Sequence, residues 1–185
     1  MTPEPSQALE PFRSYLDVLA RVHLDPRLRG KLDPADVVQQ ALLRAYAAWP
    51  ELKNPDRPVL LAWLRRILAR TLADVVKHYD RDRRAVDLER SLEADLDRSA
   101  SGLAGWLAAD QTSPSGAAER NEELLRLADA LAALPQPMGE VVVLKHLRGW
   151  TLQQIAEHIG RTVPAVASLL SRGLEELRER LTPEE

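Results

Sequence analysis

The chain has no cysteine, a single phenylalanine and eight glycines among 185 residues. Without cysteine it can hold no disulfide, no thiolate metal site and no cysteine nucleophile, a usage that fits the reducing cytoplasm. No apolar run approaches the ~20 residues of a membrane-spanning helix. Met1–Glu10 has neither the basic flank nor the apolar stretch of an export signal. The expected location is therefore cytoplasmic, with no membrane partner. Also missing are a Gly-rich phosphate loop, a His-Glu-x-x-His metal motif and a serine in a strand-to-helix elbow. The four histidines (23, 78, 146 and 158) stand in different segments with no matching carboxylate spacing. No catalytic residue, metal or cofactor is expected, and the protein is not expected to be an enzyme. Few β-branched runs against abundant Leu, Ala, Glu and Arg leave an all-α fold as the expectation.

Helical periodicity fills most of the chain. Leu9, Phe12, Leu16, Leu19 and His23 recur at spacings of three and four, and Pro26 with Gly30 marks a turn. Asp33 then reads as an N-cap, with Pro34 at the first helical position and Asp36 near the positive end of the dipole. The apolar face of that helix is Val38, Ala41, Leu42, Ala45 and Trp49. After the proline-rich stretch 50–58, a long helix is predicted over Val59–Tyr79, buried along Leu60, Leu64, Ile67, Leu68, Thr71, Leu72, Val75 and Tyr79. The C-terminal part gives four more patterns. Leu124, Leu127, Leu131 and Leu134 are stopped by Pro135, and 138–147 follows with Gly149 beyond it. A capping box at Thr151–Gln154 opens a helix ending at Gly160, and Val163–Leu181 closes the series behind Thr162 as N-cap.

Charge divides the chain. Over 61–84 seven cations outweigh three acids for a net +4, with Trp63, His78 and Tyr79 interleaved. Basic side chains along a helix can follow phosphates and aromatic rings can stack on unpaired bases. The same pattern also suits a solvated amphipathic face. Residues 85–112 carry a net −4, and Ser113-Pro114-Ser115-Gly116 has the composition of a tether. A flexible acidic linker over 85–117 is the expectation, between a helical domain at 1–84 and another at 118–185. In the second domain, a short helix, a glycine turn and another helix over Thr151–Leu170 fit a helix-turn-helix. Ala156 would sit at the crossing, while Val166, Ile155 and Leu170 fill the wedge. Spacing alone fits a plain helical hairpin as well.

Leu134-Pro135, Glu140–Leu144, Leu147–Thr151, Glu157–Gly160 and the helix after them resemble region 4 of bacterial sigma factors, in particular the extracytoplasmic-function (ECF) group of the sigma-70 family. The resemblance implies that the last helix reads a promoter's minus-thirty-five element, through Arg161, Thr162, Ala165, Ser168, Ser171 and Arg172. Ala167 and Leu169 stand where family members usually carry basic residues, and 135–182 nets only +1.

Asp33–Ala45 similarly resembles the polymerase-binding helix of region 2, which assigns Asp36, Gln39, Gln40, Leu43 and Arg44 to core RNA polymerase. Ala62–Asp74 resembles the helix that reads the minus-ten element. By that likeness Trp63, Arg65, Arg66, Arg70 and Lys77 meet DNA, and the loop 52–56, Asn54 above all, takes a flipped base. Gln40 and Thr71 replace the family's usual Glu and Asn. The stretch 103–115 is similar to a planctomycete-like subset. The resemblance implies a sigma factor that binds core RNA polymerase and promoter DNA, with an anti-sigma factor as a further partner. The alternative is a one-component helix-turn-helix regulator that binds DNA without polymerase.

Overall fold

The computed structural model describes residues 5–28, 30–52, 55–79, 85–110 and 117–182. Those residues form helices and no strand: α1 (Pro5–Leu9), α2 (Arg13–His23), α3 (Pro34–Ala48), α4 (Arg57–Tyr79), α5 (Ala85–Asp110), α6 (Ala117–Ala132), α7 (Gln136–His146), α8 (Leu152–Ile159) and α9 (Val163–Leu181), with short 3-10 turns between some of them. The all-α expectation holds. The chain divides into two compact units, residues 1–98 and 99–185.

In the first unit α2, α3 and α4 pack on one another. Helix α3 starts where Asp33 does: its carboxylate accepts a hydrogen bond from Ala35 N at 2.9 Å, Pro34 takes the first turn and Asp36 follows. This satisfies one of the orphan amide groups of the helix end. Val37, Val38, Ala41 and Ala45 of α3 are buried against Tyr15, Leu16 and Leu19 of α2 and Leu64, Leu68 and Leu72 of α4. Each such leucine, taken fully out of water, contributes about 1.5–3 kcal/mol of transfer free energy. Thr71 is also fully buried, where its hydroxyl donates to Ile67 O at 2.8 Å. The residue standing in place of the family's asparagine is thus part of the core. Tyr79, expected inside, is 44% exposed at the end of α4, where the Lys31 Nζ lies 5.5 Å from its ring centre.

The region expected to be a flexible linker is corrected over most of its length. Residues 85–110 are one helix of 26 residues, with Leu96, Ser99, Ala100 and Leu103 buried. Its acidic composition is neutralised partly within the helix, where Arg98 pairs with Asp95, and partly from α4: Arg65 Nε to Asp97 at 2.6 Å and Arg66 Nε to Glu93 at 3.1 Å. Residues 111–116, with the expected Ser-Pro-Ser-Gly tether, lie outside the described residues.

In the second unit Leu124, Leu127, Leu131 and Leu134 are buried, as their spacing predicts, alongside Val141, Val142 and Leu144 of α7. Helices α7 and α9 approach closely at Gly173, where an added Cβ would lie 2.9 Å from Val142 Cγ2. Only hydrogen fits at that position. Thr151 makes a complete capping box: its hydroxyl accepts from Gln154 N at 3.2 Å and the Gln154 side chain accepts from Thr151 N at 2.8 Å. Gly160 ends α8 with φ +66°, a left-handed backbone that side chains resist. There the chain reverses, with Arg161 N donating to Ala156 O at 3.0 Å. Val141, Leu144, Ile155, Ala156, Val166 and Leu169 make the core of this corner. Leu169 is the fully buried leucine of the wedge, and the expected Leu170, half-buried, packs against the same cluster.

Candidate nucleic-acid interface

Burial of one face of each helix leaves three outward strips. On α3, once Val37, Val38, Ala41 and Ala45 point inward, Asp36, Gln39, Gln40 and Leu43 are left on the exposed side, at helical neighbour spacings. Leu43 is 63% exposed, an unusual position for a leucine on a helix that otherwise buries its apolar groups. Tyr46, three residues on, is 54% exposed and extends this apolar patch. Sequence reasoning missed Tyr46, although its place outside the 38–41–45 stripe was the available signal. Arg44 behaves differently from its neighbours. Its guanidinium turns to α4, 2.7 Å from the Asp74 carboxylate and 3.4 Å from the Thr71 hydroxyl, and ties the two helices together.

On α4 the expected DNA-binding cations separate into two groups. Arg66, Arg70 and Lys77 are exposed. Arg66 and Arg70 line an open groove with the half-buried Trp63 and with Ile67, Asp74, Arg44, Ala48 and Glu89. Arg65 belongs instead to the interior. It donates to the Tyr15 hydroxyl at 3.1 Å and to Asp97 at 2.6 Å, and only 18% of its side chain is exposed. Burial opposes its charge, but Tyr15 and Asp97 outweigh that penalty and its pKa rises above the ordinary arginine value. Burial likewise raises the Tyr15 phenol, with Arg65 pulling the other way. Arg65 therefore joins α2, α4 and α5, and its spacing beside Arg66 gives no hint of this because Tyr15 lies 50 residues away. Asn54 lies outside the described residues, as do Arg81, Arg83 and Arg84 of the basic run.

On the helix-turn-helix, Arg161 and the N-cap Thr162 just before α9, and Ser168, Ser171 and Arg172 in its N-terminal half, are exposed, with Ala165 half-buried among them. Arg172 Nε reaches back to Ser168 O at 3.4 Å. Thr162 has the extended backbone of an N-cap but makes no side-chain cap, which leaves its hydroxyl and the first amide groups of α9 open to an anionic partner. Of the two positions where the family usually carries a basic residue, Leu169 is only 7% exposed and sits in the core, whereas Ala167 is half-buried. A basic residue at 169 would point into the apolar corner. Behind the strip, His158 stands edge-on to Trp150 at 5.0 Å and 3.8 Å from Glu140, bracing α8 against α7.

A short capped helix, a left-handed glycine turn and a second helix with an exposed polar face together define a helix-turn-helix protein. Comparison with known proteins sharpens this. The family model for Sigma-70, region 4 matches residues 124–177, the span from α6 to α9. Over 175 residues the chain is 26% identical to the ECF RNA polymerase sigma factor SigD of Mycobacterium tuberculosis, covering 95% of this chain and 76% of that one. It is 32% identical over 145 residues to the RNA polymerase sigma factor CnrH of Cupriavidus metallidurans, covering 78% and 71%. To the RNA polymerase sigma-E factor of Streptomyces coelicolor it is 27% identical over 150 residues, covering 81% and 72%. The chain belongs to the ECF group of the sigma-70 family of RNA polymerase sigma factors, and it directs transcription initiation.

Proposed function

We propose that this sigma factor engages core RNA polymerase through the exposed face of α3 and promoter DNA through α4 and α9. The observation that carries the polymerase assignment is the apolar pair Leu43 and Tyr46, open to solvent beside Asp36, Gln39 and Gln40. An apolar centre with a polar rim is the composition of a protein-binding surface. Arg44 contributes by holding α3 to α4. Arg66, Arg70 and Lys77 with Trp63 take the minus-ten element, together with Asn54 in the preceding loop. Arg65 supports that helix from behind. Arg161, Thr162, Ala165, Ser168, Ser171 and Arg172 take the minus-thirty-five element.

In this reading residues 1–84 serve polymerase and the minus-ten element, 118–185 serve the minus-thirty-five element, and 85–117 connect them. The protein works in the cytoplasm, catalyses no reaction of its own, and is restrained by an anti-sigma factor. Residues 103–115 place it beside planctomycete-like members of the group, a placement that rests on those residues alone. Run-off transcription with purified core enzyme tests the whole reading. Promoter-dependent transcripts that vanish when Leu43 is replaced by Glu support it. Specific promoter binding by the isolated chain, with no gain from core enzyme, would overturn it in favour of a one-component regulator.

A further inference from the structure

We propose that the first half of α5 is an acidic cover that occupies the basic strip of α4 in the free protein and must give way before nucleic acid can bind there. The proposal rests on the assignment of Arg66 and Arg70 to DNA. Glu89, Glu93 and Asp97 recur every four residues and so share one face of α5. Each meets the same region of α4. Asp97 accepts from Arg65 at 2.6 Å, Glu93 from Arg66 at 3.1 Å, and Glu89 lines the groove that Arg66, Arg70 and Trp63 form. Glu93 thus stands against Arg66 where a phosphate of a bound strand would stand, with Glu89 in the same groove, while Asp97 anchors α5 through Arg65.

The strength of the cover suits a removable device. Arg66 is 68% exposed in its pair and Glu93 35%, so water and salt screen their attraction. Arg65 and Asp97 form the tighter attachment, since Arg65 is largely buried and is also held by Tyr15. The outer pair can therefore open while the inner one keeps α5 attached. Nucleic acid, which presents many phosphates at once, displaces two or three carboxylates when polymerase brings it close, while stray duplex at low concentration does not.

The test uses the full chain and a labelled forked DNA with a single-stranded extension, followed by fluorescence anisotropy at low salt. The variant Glu89→Gln/Glu93→Gln/Asp97→Asn is expected to bind about 2- to 30-fold more tightly than the unaltered chain, the range spanned by about 0.4–2 kcal/mol from two ion pairs that keep at least one exposed partner each. That gain should shrink as salt rises, and it should vanish when Arg66→Ala/Arg70→Ala is added. The single change Glu93→Gln, which leaves the inner pair in place, should give a smaller gain with unchanged helical circular dichroism. Neutralising Glu119, Glu122 and Asp129 of α6 instead should leave binding to the fork unchanged. An equal gain from the α6 variant, or no gain from either α5 variant, overturns the cover. If no gain is seen and Arg66→Ala/Arg70→Ala still impairs promoter opening by the holoenzyme, the cover fails alone and the assignment of α4 stands. If the arginine changes alter neither binding nor opening, both fail.

Discussion

The rings of Trp106 and His146 lie face to face, with centres 4.4 Å apart and planes 4° from parallel. The stack joins the C-terminal half of α5 to the end of α7, beside a small hollow lined by Leu127, Leu174, Leu177, Arg178 and Leu181. The His146 Nε2 is buried there and has no hydrogen-bond partner among the described residues. An imidazolium in that position would be uncompensated.

The stack should therefore respond to acid. Burial, and then the neighbouring Lys145, lower the His146 pKa below its ordinary value, which is about 6.5. Below that value the unfolded chain takes up a proton before the folded one does, so folding stability falls as pH drops from about 6.5 through the lowered folded pKa. Denaturant melts at about pH 7.5 and 5.5, in the ordinary working range, should show this loss. His146→Leu should remove that part of the pH dependence. A variant that keeps the full dependence would exclude His146 as its source.

Replacing Leu43 by Glu should end co-purification with core polymerase while leaving stability within the small range of surface substitutions, ~0.5 kcal/mol. Leu43 is 63% exposed and supports no core packing that the charge would break. Tyr46→Ala should weaken the same association. An unfolded Leu43→Glu variant, or one that still binds polymerase, counts against the α3 assignment.

Gly160→Ala should destabilise the second unit by about 1 kcal/mol, since its φ of +66° costs an alanine what glycine adopts freely. Thr151→Ala should cost about 0.5–2 kcal/mol through loss of the cap. Thermal melts of the two single variants check both values. No loss from either would mean that the corner does not depend on its local turn chemistry.

Arg66→Ala/Arg70→Ala should impair strand opening more than polymerase binding. Each arginine removed from a phosphate should reduce the salt slope of holoenzyme–promoter binding by ~1. Permanganate footprinting reads the opening directly, and normal reactivity in the double variant would remove these residues from the melted region.

The isolated chain should bind promoter duplex weakly and become specific only with core enzyme. Residues 135–182 net only +1, and position 169 is committed to the core, where it can hold no cation. A few arginines on phosphates cannot hold duplex at physiological ionic strength, about 0.15 M. Anisotropy of a labelled promoter with and without polymerase measures the difference. Tight specific binding by the chain alone would contradict it.

Local chemistry is legible in the sequence where it acts over a few residues. The cap at Asp33, the box at Thr151–Gln154 and the turn at Gly160 all follow from side-chain reach or backbone freedom within one turn. The exposed face of α3 follows from periodicity. The misses depend on partners remote in sequence. Arg65 looks like its neighbours until Tyr15 and Asp97 come to it. Helix α5 reads as a flexible acidic linker because two of its acids, Glu93 and Asp97, meet their cations across a gap of 27 to 32 residues. On α9, Leu169 and Leu170 are equivalent by type, and only the approach of α7 and α8 decides which one is buried.

The close approach at Gly173 makes α9 a lever. With 2.9 Å between a would-be Cβ and Val142 Cγ2, the fulcrum is a bare backbone pressed against α7. Ser168 lies on the arm beyond it, and Arg161 lies just before the helix begins. A methyl group inserted at the fulcrum would force the contact with Val142 to shift, with no residue of the exposed strip altered. The direction of the exposed strip is thus set near the middle of α9, and under the proposed minus-thirty-five assignment a substitution there that touches no base should change promoter preference.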